Sequence, residues 1–246
     1  MSSEYDAPGL ETLERFAHAP AFNQWLYSSI ARHCSGRILE IGSGIGNISG
    51  LLLKDHPQVT LSDLRQVYCD KLQERFGKDT NFEGAVQMDI ADEAFEQKHA
   101  SLLGSFDTVI ALNVVEHVRN DAKAINNCKQ LLKPGGKLII LVPAYQWLFN
   151  AFDVELGHFK RYTLKELGTL LTNAGLELAH TRYFNLAGIP GWWLTGSVMK
   201  KKVIPGGQLK IFNLLVPIFR LIDKSVLRKA GLSAIAVGIK KQKDQV

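Results

Sequence analysis

Apolar positions recur at helical spacing between residues 11 and 33: Leu13, Phe16 and Ala17, then Phe22, Trp25, Leu26 and Ile30. That spacing lays them on one face of an amphipathic helix. Pro20 falls inside the run and lacks an amide donor, so two helical pieces are expected. After Gly36 the pattern changes to short apolar runs at Ile38–Ile41, Val59–Leu61, Ala85–Met88, Thr108–Leu112 and Lys137–Val142. Longer amphipathic stretches separate them, near 46–54, 65–76, 93–102 and 120–132. Short buried runs alternating with amphipathic helices predict an α/β fold, a doubly wound and mostly parallel sheet covered on both faces.

Beyond residue 143 the alternation loosens. Thr163 with Glu166 forms a capping-box signature for a helix running to Asn173, and Gly175 follows as its stop. Leu176–Phe184 and Ser233–Ile239 read as strands, which brings the sheet to seven. No crossover strand lies between these two, so an antiparallel pair at the sheet edge is expected. Residues 186–231 form an added, mainly helical segment whose apolar run Ile211–Ile222 contains Pro217. Twelve residues are too few to span a bilayer. An interfacial helix, a cap over an apolar substrate, a dimer face and ordinary core all remain open for it. The expected organisation is one domain over 1–246. Its parts are a helical cap (1–35), a ligand-binding core (36–143), a substrate-covering loop (144–163) and the 186–231 insertion.

Composition excludes more than it assigns. With 46% hydrophobic and 22% charged residues in 246, the chain is neither disordered, collagen-like nor polytopic. The net charge of +5 conceals an asymmetry. From Gly196 to Val246, eleven Lys and Arg face only Asp223 and Asp244, a surplus of nine that leaves the preceding residues at −4. An anionic partner at that end, a membrane surface or an acidic substrate, is the physical expectation. Cys34, Cys69 and Cys128 are odd in number and widely spaced, which suits a reducing cytoplasmic setting. No charged-then-apolar leader opens the chain, so a secretory signal is not expected.

The most specific string is Glu40-Ile41-Gly42-Ser43-Gly44-Ile45-Gly46-Asn47, directly after the first apolar run. Three glycines at alternate positions permit a tight strand-to-helix turn and close approach of a ligand to backbone. A dinucleotide fingerprint needs glycine at position 47, where Asn stands, so an NAD-dependent oxidoreductase is disfavoured. No Gly-Lys-Ser/Thr follows, which excludes a P-loop. A carboxylate two residues before the first glycine suits a cationic ligand. The histidines show neither HExxH nor H-x₃-H spacing, so no metal site is expected.

On these residues the chain resembles the class I S-adenosylmethionine-dependent methyltransferases, and within them the type 11/12 small-molecule group. The match in motif order covers roughly residues 36–185. The resemblance implies a Rossmann-like sheet and S-adenosyl-L-methionine as cofactor. It implies that Glu40, Gly42, Gly44 and Gly46 surround the methionine moiety. Asp63, with Leu64 beside it, would accept from the ribose hydroxyls; a helix N-cap is the competing role for Asp63. Asp89 would accept from the adenine amino group, with Asp92 as competitor, and Ile90 would pack on the purine. The Asn113 backbone would line the methionine end. Glu116-His117-Val118 matches a family string that organises the following helix, and Leu132-Lys133-Pro134-Gly135-Gly136 matches a structural turn before the fifth strand.

The stretch 144–163 is long for a connection and dense in aromatic and basic groups, with Gly157-His158-Phe159-Lys160-Arg161-Tyr162-Thr163 at its end. In the family this position covers the methyl acceptor. An ordinary imidazole, with a pKa of about 6.5, suits deprotonation of a hydroxyl, which makes His158 the candidate base. Arg161 could hold a carboxylate or phosphate, and Tyr162 or Tyr145 could stack or hydrogen-bond. The competing role for His158, Arg161 and Tyr162 is to pin the loop to the sheet. The function expected is methyl transfer, at oxygen, to a small, lipid-like or carrier-bound apolar acceptor, with peripheral contact to the inner membrane surface through 186–231. A catalytically inactive cofactor-binding partner subunit is the alternative. The Asn-Pro-Pro-Tyr-like run used on planar nitrogens is missing after the fourth strand, which disfavours nucleic acid. Monomer and homodimer both stay open.

Overall fold

A computed structural model describes residues 7–203, 205–225 and 229–242. Arg228, Lys243 and Asp244, counted above for charge, lie outside the described residues. The first amphipathic run forms α1 (Ala7–Ala17) and α2 (Pro20–Ile30), with Pro20 in the first turn of α2. The missing amide of proline costs nothing there, because first-turn amides have no partner within the helix.

The sheet comprises β1 (Ile38–Ile41), β2 (Val59–Asp63), β3 (Phe82–Gln87), β4 (Phe106–Leu112), β5 (Leu132–Pro143), β6 (Leu176–Phe184) and β7 (Ser233–Lys240). Their order is β3-β2-β1-β4-β5-β7-β6, and β7 runs antiparallel to both neighbours. The α/β, doubly wound, seven-stranded reading with an antiparallel edge therefore holds. Helices α3 (Ser49–Asp55), α4 (Gln66–Phe76), α5 (Phe95–Lys98), α6 (Asp121–Leu131), α7 (Ala151–Glu155), α8 (Leu164–Asn173), α9 (Gly188–Trp192) and α10 (Gly206–Ser225) surround it. Side chains alternate between two cores, as strand geometry requires. Leu39, Ile41, Val109, Leu138 and Ile140 pack with Ile125, Leu167 and Leu171 on one face. Ile38, Leu61, Ile110, Ile139 and Val237 pack with Trp25, Leu52 and Val216 on the other. All three cysteines are buried and unpaired.

Several boundaries differ from expectation for local reasons. The Pro134-Gly135-Gly136 turn lies inside β5 as a register shift, with Phe106 opposite Leu132 but Thr108 opposite Lys137. The helix expected over 93–102 is reduced to α5 and a 3-10 turn at Ala100–Leu102. The 144–163 stretch carries a 3-10 turn at Gln146–Leu148 and α7, whose capping box joins Asn150 and Asp153. The Thr163–Glu166 capping box forms and opens α8 as expected. Among the described residues of 186–231, two α-helices appear: α9, which continues as a π-helical stretch Trp193–Val198, and the 20-residue α10. Pro217 sits inside α10 on its exposed side.

Candidate active site

The strand order reverses between β1 and β4. In an open α/β sheet, ligands bind outside the carboxyl ends of the strands at such a switch point. A cavity of about 950 Å³ opens there, roofed by α1, α2, the 144–163 stretch and the 186–231 segment. It lies at the upper end of the range of about 300–1,000 Å³ usual for small-molecule sites.

Glu40, Gly42, Gly44, Asp63, Leu64, Asp89, Ile90 and Asn113 all line this cavity. Residues scattered over 74 positions of chain are thus gathered at one end of four strands. Gly42, Gly44 and Gly46 all have positive φ, a conformation that other residues rarely adopt. Close packing reinforces the demand: a Cβ on Gly44 would lie 2.8 Å from the Leu13 side chain, and one on Gly46 2.6 Å from Phe76. Gly46 is the correction here. It packs against Leu72 and Phe76 of α4 and does not line the cavity, so its part is to shape the turn. Spacing alone cannot separate a cradle glycine from a packing glycine.

Asp63 Oδ2 accepts from the Gly44 amide at 2.9 Å and Oδ1 from the Arg65 amide at 3.1 Å. Arg65 is the N-cap position of α4, and no side chain caps that helix, so Asp63 is not its cap. Its carboxylate ties the glycine turn to β2 and still borders the cavity. Burial raises the pKa of Asp63 above the usual carboxylate value, and the amide bonds counter it. Glu40 is buried and accepts from Ser49 Oγ; burial pushes its carboxyl up to about 7. A cationic group entering beside Glu40 would favour its charged form, so the site is chemically matched to a ligand carrying an ammonium or sulfonium. Asp89 lines the cavity, whereas Asp92 is bound to Lys98 and the Ala94 amide and does not.

On the acceptor side, a buried ionic network organises the loop. Asp153, at 0% exposure, accepts from His158 Nδ1 at 2.8 Å, Arg161 Nε at 2.8 Å and the Asn150 amide at 2.9 Å. Burial alone would raise the Asp153 pKa, but His158 and the Arg161 guanidinium outweigh it and hold the carboxyl low. A carboxylate can only accept, so Nδ1 of His158 carries the hydrogen and Nε2 is left as the ring's basic nitrogen. His158 lines the cavity.

Arg161 also borders the cavity, but its guanidinium is spent on Asp153, on the Ala144 carbonyl at 3.1 Å and on the Trp192 ring at 4.6 Å. It braces the loop. Tyr162 is the second correction: it lies 98% buried in the core, away from the cavity, and donates to Asp121 at 2.9 Å. Its backbone pairs with Pro143 and Tyr145, extending the end of β5. Tyr145 stacks on Tyr183 at 4.7 Å and likewise serves the scaffold.

Sequence spacing missed one grouping. Glu116, His117 and His158 bring ligand-type atoms within 4.8 Å of one another. Both Glu116 carboxylate oxygens are buried without a hydrogen-bond partner, and burial pushes that carboxyl up to about 8. His158 lies 41 residues beyond His117, so no in-chain pattern could reveal the cluster. The only signal was that Glu116-His117 and His158 each fall after a parallel strand, at the same end of the sheet.

The family model described as a methyltransferase domain matches residues 14–181, more than half of the chain. The chain belongs to the methyltransferase domain family. Its glycine turn and strand order are those of the class I, S-adenosylmethionine-dependent enzymes. A ubiquinone biosynthesis O-methyltransferase of Xanthomonas euvesicatoria pv. vesicatoria (strain 85-10) is 30% identical over 155 residues, 58% of this chain and 63% of that one. A highly reducing polyketide synthase of Pyrenophora dematioidea is 31% identical over 140 residues, 52% of this chain but 5% of the synthase. The methyltransferase thus spans less than two thirds of either relative. Among solved structures, phosphoethanolamine N-methyltransferase 2 of Haemonchus contortus, in complex with S-adenosyl-L-methionine, superposes with a TM-score of 0.61 at 18% identity. That match covers 93% of this chain and 57% of the other, and shows the common fold.

For this methyltransferase, Asp63→Ala is expected to weaken binding of S-adenosylhomocysteine by about 1.5–3 kcal/mol, the range for hydrogen bonds to a charged acceptor. Asp63→Asn, whose amide oxygen can still receive the Gly44 amide, should recover part of the loss. Titration calorimetry measures both; unchanged affinity in the alanine variant would remove Asp63 from the cofactor site.

Proposed function

We propose that this methyltransferase transfers a methyl group to a hydroxyl of a small or carrier-bound apolar acceptor. The observation that carries the reading is His158. Its Nδ1 is held by a buried carboxylate, and it stands in a cavity whose acceptor side is walled by Phe152, Leu156, Phe159, Trp192 and Phe212. Apolar walls with one oriented base suit a molecule that is mostly hydrocarbon and carries a weakly acidic hydroxyl. The names of the two relatives, a ubiquinone biosynthesis O-methyltransferase and a highly reducing polyketide synthase, are in keeping with acceptors of that kind.

In this reading Glu40 meets the amino-acid end of the cofactor beside Gly42 and Gly44. Asp63 takes the ribose, Asp89 and Ile90 the adenine, and Asn113 borders the methionine end. Bound there, S-adenosyl-L-methionine would supply an electrophilic methyl group on a sulfonium, with the neutral thioether as the leaving group. His158 accepts the hydroxyl proton at Nε2 as the oxygen–carbon bond forms, and later releases it to solvent. Asp153 keeps the other nitrogen protonated and stabilises the imidazolium. Much of the remaining rate comes from holding the hydroxyl oxygen in line with the methyl group, which is the task of the braced loop.

The Glu116–His117–His158 grouping favours a second reading, in which a divalent cation held by these three lowers the pKa of the acceptor hydroxyl. One experiment addresses both. Labelled methyl transfer to a panel of alkylated phenols, amines and thiols is followed before and after chelation, then with Mg²⁺ or Zn²⁺ restored. An ether product that survives chelation supports the imidazole reading. Loss of activity on chelation, restored by metal, supports the second. Label found only on nitrogen, sulfur or carbon overturns both, and no transfer to any acceptor would favour the inactive-partner alternative.

A further inference from the structure

Helix α10 is two-faced in an unusual sense. Leu209, Val216 and Asp223 are buried at seven-residue intervals, and Phe212 and Phe219 pack against the core, so this face belongs to the fold. Asp223 pins it by accepting from the Asn185 and Leu186 amides at 2.8 Å each. The opposite face is also apolar. Ile211, Leu214, Ile218, Leu221 and Ile222 follow helical spacing and stand open, Leu214 at 77% and Leu221 at 65% exposure. The π-helical stretch after α9 adds exposed Trp193, Leu194 and Val198, and Met199 follows as its cap. Thr195 bonds Gln208 at 2.9 Å and so ties that stretch to α10. Nine large apolar side chains are thus presented to solvent on two linked segments, a concentration of the kind that marks interaction sites.

Charge indicates which partner. Lys200, Lys201, Lys202, Lys210, Arg220 and Lys224 are exposed along the same two segments. Lys202 reaches Glu155 at 3.1 Å. The sole acid among the described residues 193–225 is Asp223, which is buried. Exposed apolar side chains interspersed with cations, on a helix lying along the protein surface, match an anionic lipid bilayer. No helix among the described residues is long and apolar enough to cross a membrane, so such contact would be interfacial. The inner side of α10 lines the cavity through Gln208, Leu209 and Phe212, and α9, just before residues 193–199, lines it through Gly191 and Trp192.

We propose that the outer face of α10, with residues 193–199 and the flanking lysines, docks on an anionic lipid surface. The acceptor-side wall of the cavity then abuts the bilayer, so that an acceptor dissolved in the membrane reaches His158 through the docked face. That last step rests on the function proposed above, whereas docking itself does not.

The test is co-sedimentation of the full chain with phosphatidylcholine vesicles, and with vesicles that also contain phosphatidylglycerol, at low and at moderate salt. Binding is expected only to the anionic vesicles and is expected to weaken with salt. Replacing Lys200, Lys201 and Lys202 together by Gln should weaken partitioning by roughly 10²-fold, since each basic residue near such a surface contributes about fivefold. Leu214→Asp with Ile218→Asp should abolish it while leaving transfer to a water-soluble acceptor unchanged. Equal binding to neutral vesicles, salt-independent binding or full binding by the aspartate variant would overturn the proposal. So would a protein that stays in the supernatant and sediments as a dimer lost in that variant. Transfer assays in free solution report on the proposed function separately, so either reading can fail without the other.

Discussion

His158→Ala is expected to lower methyl-transfer turnover by about 10²–10⁴-fold, the usual contribution of a positioned general base. Affinity for S-adenosylhomocysteine should stay near that of the parent, because His158 belongs to the acceptor side of the cavity. Orientation is what makes the ring a base. Asp153 holds the Nδ1 hydrogen and leaves one basic nitrogen, so removing the ring removes the proton acceptor while Arg161 still braces the loop. Steady-state kinetics together with calorimetry on the same variant check the split. A variant that retains more than half of the parent's turnover would return His158 to a scaffold role. Activity regained with added imidazole would argue that only the base was lost.

The largest stability effect is expected at the other end of that bond. Asp153→Ala deletes the acceptor of three hydrogen bonds and leaves the Arg161 guanidinium, at 3% exposure, without its paired carboxylate. Breaking a buried pair in this way costs about 3–5 kcal/mol. Glu116 moderates the loss. Burial above all, and the Asp153 charge to a lesser degree, raise its carboxyl to about 8, so loss of Asp153 should let it ionise more readily and partly compensate Arg161. Urea unfolding should therefore show the full cost only where Glu116 is also changed, in Asp153→Ala with Glu116→Gln. Asp153→Ala with Arg161→Met should lose less than the two single changes summed, since the second substitution removes the charge that the first left unpaired. Additive losses would mean that the two side chains do not act as a pair.

How much of this molecule was legible beforehand depended on how locally each feature is determined. The strand Ile38–Ile41 and the strand Leu176–Phe184 appear with the boundaries their apolar runs predict. The Thr163–Glu166 capping box appears as well. In these cases the signal and the structure occupy the same few residues. The positive-φ glycine turn after β1 follows for the same reason, and with it the position of Glu40, Gly42 and Gly44 at the cavity.

Tertiary packing decided the rest, because it brings together residues that no spacing rule compares. Gly46 and Tyr162 carry the right residue types at the right places in the chain, yet α4 and Asp121 claim them, and neither reaches the cavity. No spacing rule links Asp153 to His158 and Arg161, but the turn of α7 brings it to them, where it becomes the hub of the loop. For the run Ile211–Ile222 the sequence leaves interfacial helix, substrate cap, dimer face and ordinary core all open. Only its packing shows that Phe212 and Phe219 turn inward while Leu214 and Ile218 stay outside. From the sequence alone came the elements, the fold class and the chemistry of the glycine turn, since backbone conformation and hydrophobic periodicity are local. Which side chains meet, and which are left facing solvent, depends on contacts between distant segments, and those exist only once the chain has folded.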